Sequence, residues 1–213
     1  MKYLTIVLAF FICACQSPSN PPKEAVAGLI KHEDISPFIV VLGTIQDGGS
    51  PHIGCDKECC RNLFGNPDKN RMVVSLGVVD PVNKKTFLIE ATPDMPRQLK
   101  ALKNTAGFSD KETPDGIFLT HAHIGHYTGL MYMGREALGG DEVPVYVMPQ
   151  MKSFLENNGP WDQLVSLENI SLLPLSENTP VQLTPSLNIT PIRVPHRDEY
   201  SETVGYRIEG PNH

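Results

Sequence analysis

The sequence predicts an α+β sandwich, and three observations carry that expectation. Runs of β-branched and aromatic residues alternate with amphipathic stretches of helical spacing, the order expected of packed layers of sheet and helix. About 190 residues remain after an apolar leader and the Pro- and Ser-rich chain behind it, enough to bury one core. No repeat with a period of about 20 to 50 residues breaks the pattern, and no linker-like composition follows Pro37.

The leader comes first. Met1-Lys-Tyr precedes an apolar run from Leu4 to Ala14, about 11 residues, which fits a signal-peptide core and is too short for a membrane span of about 20. Residues 1–14 are therefore expected to be a signal peptide. The run ends Ile12-Cys-Ala-Cys15, which resembles a bacterial lipobox and would make Cys15 the lipidated first residue; an ordinary signal peptide cut nearby is the alternative. Residues 15–37 open with Pro- and Ser-rich chain, the composition of a flexible tether. The expectation is an exported protein of the bacterial cell envelope, on a periplasmic or surface face, touching membrane through its lipid alone.

From Phe38 the elements follow in order. Phe38 to Leu42, Met72 to Val79 and Thr86 to Ile89 are β-branched or aromatic runs bounded by Gly, Asn or Pro, so they read as strands. Asp94 stands at an N-cap, and Met95, Leu99 and Leu102 share one face of the helix that follows. Ile117 to Leu119 is the next strand, Tyr127 to Leu138 a helix stopped by Gly139-Gly140, and Val143 to Val147 a strand. A short helix from Gln150 to Glu156 leads to strands at 170–173, 187–194 and 204–208. Trp161 reads as packing under a loop.

Charge narrows the partners. A net charge of -6 and a pI near 5.6, with no Lys/Arg cluster, exclude a nucleic-acid backbone and give no broad attraction to anionic lipid. A small-molecule substrate is the expected partner.

The chemistry is concentrated in His121-Ala-His123-Ile-Gly125-His126, which holds three of the chain's 7 histidines at the end of a strand pattern. In extended chain, His121 and His123 point to one face, and a helix starting near Gly125 turns His126 back toward them. Neutral imidazole is the commonest protein metal ligand, and a catalytic zinc takes about three protein ligands plus an open position. Cys55, Cys59 and Cys60, with His52 close by, read either as a structural zinc site of Cys3His type or as a disulfide from Cys55 to Cys59 or Cys60. Asp47-Gly-Gly49 reads as a turn. Asp94 reads as a helix cap before an orienting group for a metal-bound histidine, and Asp198 and Glu199 read as solvated charges before a carboxylate near the metal.

Thr120-His-Ala-His-Ile-Gly-His-Tyr-Thr-Gly-Leu130 resembles the H-x-H-x-D-H motif of the metallo-beta-lactamase superfamily, and the stretch around His196, Val194 to Ile208, resembles its later histidine segment. Val41 to Cys55 and Phe87 to Asp94 resemble the opening strands of the branch that contains coenzyme PQQ synthesis protein B. The resemblance implies an αββα four-layer sandwich, with His121, His123 and His196 forming one metal site and His126 surviving from a second. Gly125 stands where the motif has Asp, so one metal, or a weakly held second, is expected, and Gly125→Asp is expected to raise second-site occupancy. Relatives of the branch carry a three-cysteine zinc knuckle as C-x-C-x2-C; here the spacing is C-x3-C-C. Members also continue with a strand bearing another Asp and a final His, so residues 38–213 are expected to be the N-terminal portion of such a domain.

The resulting expectation is a metallo-hydrolase with zinc, one or two ions, or iron or manganese in its place, acting on an ester, phosphodiester, lactone or lactam. A PQQ-synthesis-like, oxygen-dependent redox enzyme and a non-catalytic metal- or ligand-binding surface lipoprotein are the alternatives. Function lives in the site and not in the superfamily name.

Overall fold

A computed structural model describes residues 36–211; the expected signal peptide, Cys15 and nearly all of the tether lie outside the described residues. Six strands form one mixed sheet in chain order: β1 Phe38–Gly43, β2 Ser75–Asp80, β3 Lys85–Ile89, β4 Gly116–Phe118, β5 Val143–Val147 and β6 Ile170–Pro174. The first three pair antiparallel and the rest parallel. A second, antiparallel sheet holds β7 Val181–Thr184, β8 Leu187–Arg193 and β9 Val204–Glu209.

Two apolar clusters separate the layers. Leu42, Val79, Leu88, Ile117 and Val145 on one face of the large sheet pack against Met95 and Leu102 of α2 (Met95–Ala106). Met151 and Leu155 of α4 (Pro149–Asn157) and Leu164 of α5 (Trp161–Ser166) join the same cluster. On the other face, Val78, Phe87, Ile89 and Phe118 meet Leu187, Ile189 and Val204 of the small sheet. Phe118 stacks on Tyr146 at 4.3 Å and meets Tyr206 edge-on at 5.6 Å, so aromatic contacts tie the sheets together. Helices, large sheet and small sheet form three of the four layers. Among the described residues, no helix is long and apolar enough to cross a membrane.

Two local differences have physical causes. The helix expected over 127–138 is instead a four-residue α3 (Ile124–Tyr127) followed by a 3₁₀ helix at Thr128–Met133. Gly129 there lies so close to the loop after β3 that a Cβ would come 2.2 Å from the Thr92 carbonyl oxygen. Its N–H donates to Ala91 O at 2.8 Å, so a tertiary contact overrides helical spacing. Trp161 starts α5 and packs edge-on to Tyr127 at 5.0 Å, within a cluster that includes Phe154.

Candidate metal centre

The sheet's directions bring the site together. β1 and β2 are antiparallel, as are β2 and β3, so β1, β3 and β4 point the same way and the segments after them open on one edge. Such a strand edge is where open α/β sheets place their ligands. The small sheet adds the loop between β8 and β9. Val194 N–H donates to Thr203 O at 3.0 Å within it, and Val204 N–H donates to Thr120 O at 3.1 Å and Ala122 N–H to Ser201 Oγ at 2.8 Å, pinning it to the histidine segment.

His123 has extended backbone, φ -94 and ψ 143, before α3 begins at Ile124, as the two-residue spacing requires. His121 Nε2 lies 2.9 Å from His123 Nδ1, and His196 Nε2 lies 3.2 Å from the same atom. The ligand atoms of all three rings lie within 4.8 Å of one another. His126 stands beside this triad, its ring centroid 4.3 Å from that of His121.

Their partners bear on the tautomers of these rings. His123 Nε2 donates to Glu199 Oε2 at 2.8 Å, which leaves Nδ1 with its lone pair. His121 Nδ1 lies 2.7 Å from Thr120 Oγ1, a hydroxyl able to accept from the ring or donate to it. When the ring donates, His121 Nε2 and His123 Nδ1 face each other as two lone pairs, an arrangement a cation relieves. Nitrogens each about 2.0–2.1 Å from a tetrahedral centre stand about 3.3–3.4 Å apart, close to the separations found. The donor set of three imidazoles fits a divalent cation. Burial, and after it the neighbouring imidazoles of His126, His123 and His196, hold the His121 pKa down to about 3, so protons do not compete for that ring near neutrality.

Sequence reasoning missed one carboxylate here, Glu90, and ranked another, Glu199, as a solvated charge first. Glu90 ends β3 with φ 77, a left-handed conformation that non-glycine residues avoid, and is 5% exposed. Its Oε1 accepts from Thr120 N–H at 3.2 Å and its Oε2 from His126 Nδ1 at 3.1 Å. Burial lowers the His126 pKa, but the Glu90 hydrogen bond and charge, with the charge of Asp47, outweigh it and the net shift is upward. The available signal was an acidic residue at the carboxyl end of an apolar strand. Glu199, read as a solvated charge, is the partner of His123; the hydrogen bond to that ring, first, holds its carboxyl below the usual range. Asp198 turns away, accepting from Thr203 Oγ1 at 2.8 Å and Arg193 at 3.3 Å. Asp94 stands at the start of α2, but its carboxylate accepts from Val73 N–H at 2.8 Å and pairs with Arg97, and so orients no histidine.

The cysteine cluster lies in and before α1 (Glu58–Arg61). Cys55 and Cys60 are joined as a disulfide, one of the two pairings the sequence left open, and Cys59 is free and exposed, its sulfur 3.9 Å from that of Cys60. The three sulfurs also stand close enough to share one metal ion when reduced. His52 does not join them: its Nδ1 accepts from Gly54 N–H at 3.2 Å.

The family model of the beta-lactamase superfamily domain matches residues 85–213. Coenzyme PQQ synthesis protein B of Methylorubrum populi is 24% identical over 162 residues, which cover 74% of this chain and 52% of that protein. The crystal structure of Zn2+-bound PqqB from Methylobacterium extorquens superposes with a TM-score of 0.62 at 23% identity, over 81% of this chain and 61% of that one. A structure described as a diphosphatase of the PhnP family follows, with a TM-score of 0.57 and 24% identity over 81% and 62% of the two chains. Both structural likenesses carry the fold. The chain spans about half the length of the curated relatives it matches.

Proposed function

Because this chain belongs to the metallo-beta-lactamase superfamily, we propose that it acts as a metal-dependent hydrolase in which His121, His123 and His196 carry a divalent cation. The convergence of His121 Nε2 and His196 Nε2 on His123 Nδ1 is the observation that carries this reading. A cation bound there supplies a water of lowered pKa and polarises the carbonyl or phosphoryl oxygen under attack. The chain's own groups do the rest. Glu199 orients the ring of His123 with Nδ1 toward the other two histidines, and Thr120 holds the ring of His121 in place. Glu199, whose side chain is 46% exposed, reaches solvent from its position on His123 and is placed to accept the proton that an attacking water gives up.

The substrate proposed is an ester, phosphodiester, lactone or lactam, and the likeness to a fold neighbour described as a diphosphatase puts attack at phosphorus first in the test. Zn2+- and Mn2+-loaded protein is assayed with bis(4-nitrophenyl) phosphate, 4-nitrophenyl acetate and a simple lactone. Turnover that chelation abolishes and His196→Ala lowers by at least about 100-fold supports the reading; no metal-dependent turnover of any of the three, in folded loaded protein, contradicts it.

Similarity to proteins named coenzyme PQQ synthesis protein B supports a second reading, an oxygen-dependent redox reaction with iron at the same histidines. Oxygen uptake by Fe2+-loaded protein distinguishes the two. Placement in the bacterial envelope by a lipid on Cys15 belongs to the same proposal and is supported by the apolar run that precedes that residue.

A further inference from the structure

Gly125 lies buried in α3, directly before His126. A Cβ built on it would come 2.2 Å from Asp47 Cβ, 2.7 Å from Asp47 Cα and 2.9 Å from Asp47 O. The space into which a side chain at 125 would grow is filled by Asp47, backbone and side chain together. Glycine at 125 is what admits it, and Gly125→Asp cannot restore a carboxylate there without driving Asp47 out, which corrects the expectation drawn from the motif.

Asp47 is held in that position by its own loop, which enters the site from the end of β1. Gln46 Oε1 accepts from Gly48 N–H at 2.9 Å, Gln46 Nε2 donates to Gly49 O at 3.2 Å, and Gly49, with φ 83, donates its N–H to Gln46 O at 3.0 Å. The turn expected over Asp47-Gly-Gly49 is therefore present and closed on itself. The Asp47 charge acts on both His121 and His126. His126 gives Nδ1 to Glu90, which leaves Nε2 as the ring nitrogen open to a metal ion.

An acidic residue packed against Gly125, one position before an oriented imidazole that stands beside three more, offers a mixed oxygen and nitrogen donor set for a second divalent cation. We propose that Asp47 and His126 form a second cation position beside the three-histidine centre, with Asp47 standing where a side chain at residue 125 would otherwise be. The carboxylate comes from the β1 loop and not from α3. This rests on the reading that His121, His123 and His196 hold a metal.

The test counts Zn2+ equivalents by calorimetry and by elemental analysis after equilibrium dialysis. It uses full-length protein carrying Cys55→Ser, Cys59→Ser and Cys60→Ser, so that thiolates take none. The unaltered site is expected to bind two equivalents. Asp47→Asn, which keeps shape and loses charge, is expected to retain the first and to weaken the second by at least about 100-fold, more than the loss of an outer partner costs. Asp47→Ser serves as a second variant should the amide disturb the loop. Two equivalents of unchanged affinity in both variants would overturn the proposal. One equivalent in the unaltered site would also overturn it while leaving the three-histidine reading intact, and no bound metal would remove that reading and the proposal with it.

Discussion

Glu90 Oε2 stands 3.1 Å from His126 Nδ1, at a residue whose φ of 77 places its backbone in the left-handed region. One carboxylate therefore holds the ring of His126 and, through Oε1, the Thr120 N–H at the head of the histidine segment. Removing it as Glu90→Ala leaves both donors without their partner and should cost about 1–3 kcal/mol of stability. Glu90→Gln should cost less and lower the His126 pKa, because the charge that raises it is gone. NMR titration of the metal-free protein reads the shift; an unmoved His126 pKa would mean that Glu90 is not its cause.

The close packing at Gly125 predicts a stability effect that is independent of metal. Gly125→Ala places a methyl 2.2 Å from Asp47 Cβ, and overpacking of this kind costs about 1–3 kcal/mol. Adding Asp47→Gly should return part of that loss by removing the Cβ, while the Cα and carbonyl oxygen of residue 47, 2.7 and 2.9 Å from the methyl, keep the rest, so the two changes are not additive. Urea denaturation of the two single variants and the double variant checks this, and simple additivity would show that the two residues do not share the space.

Much of this architecture was legible in the chain. The strand runs from Phe38, Thr86, Ile117, Val143 and Ile170 all pair in the large sheet; those from Thr86, Ile117 and Val143 lie in its interior, whereas the Phe38 run forms an edge and leaves Phe38, Ile39 and Val41 exposed. The spacing of His121 and His123 fixed their common direction before any fold was known, and resemblance supplied His196. The long-range partners were not legible. Nothing local marks Asp47 as the neighbour of Gly125 or Glu199 as the partner of His123, since both contacts depend on how β1 and the β8–β9 loop close over one sheet edge. The helix expected from Tyr127 failed at Gly129 for the same reason, a backbone contact with residues distant in sequence.

Asp80 gives a pH dependence with a definite sign. It is buried at the end of β2 and accepts from Thr184 Oγ1 of the small sheet at 2.6 Å and from Asn83 N–H at 3.0 Å. Burial alone would raise its pKa, but these hydrogen bonds outweigh it and the folded value lies below 3.8. A carboxyl with a depressed folded pKa adds stability above its unfolded value, and that stability is lost as pH falls from 3.8 through the lowered value. Thr184→Val should therefore destabilise the protein by about 1–2 kcal/mol at pH 6 and by less at pH 3. Equal losses at the two pH values would show that the bond does not depend on the ionised form.

The lipid anchor is tested in a bacterial host. Full-length protein should incorporate labelled palmitate and sediment with membranes, and Cys15→Ser should remain unprocessed or lose the acyl mass. Equal labelling of the two would remove Cys15 as the attachment point.

The central claim is that His121, His123 and His196 hold a divalent metal. X-ray absorption spectroscopy at the zinc edge of protein loaded with one equivalent tests it most directly. A first shell of nitrogen and oxygen at about 2.0–2.1 Å, with the outer scattering of imidazole rings, is the predicted result. His196→Ala should weaken that imidazole signal or lose the metal altogether. A first shell dominated by sulfur at about 2.3 Å would put the ion at Cys55, Cys59 and Cys60 instead and contradict the account.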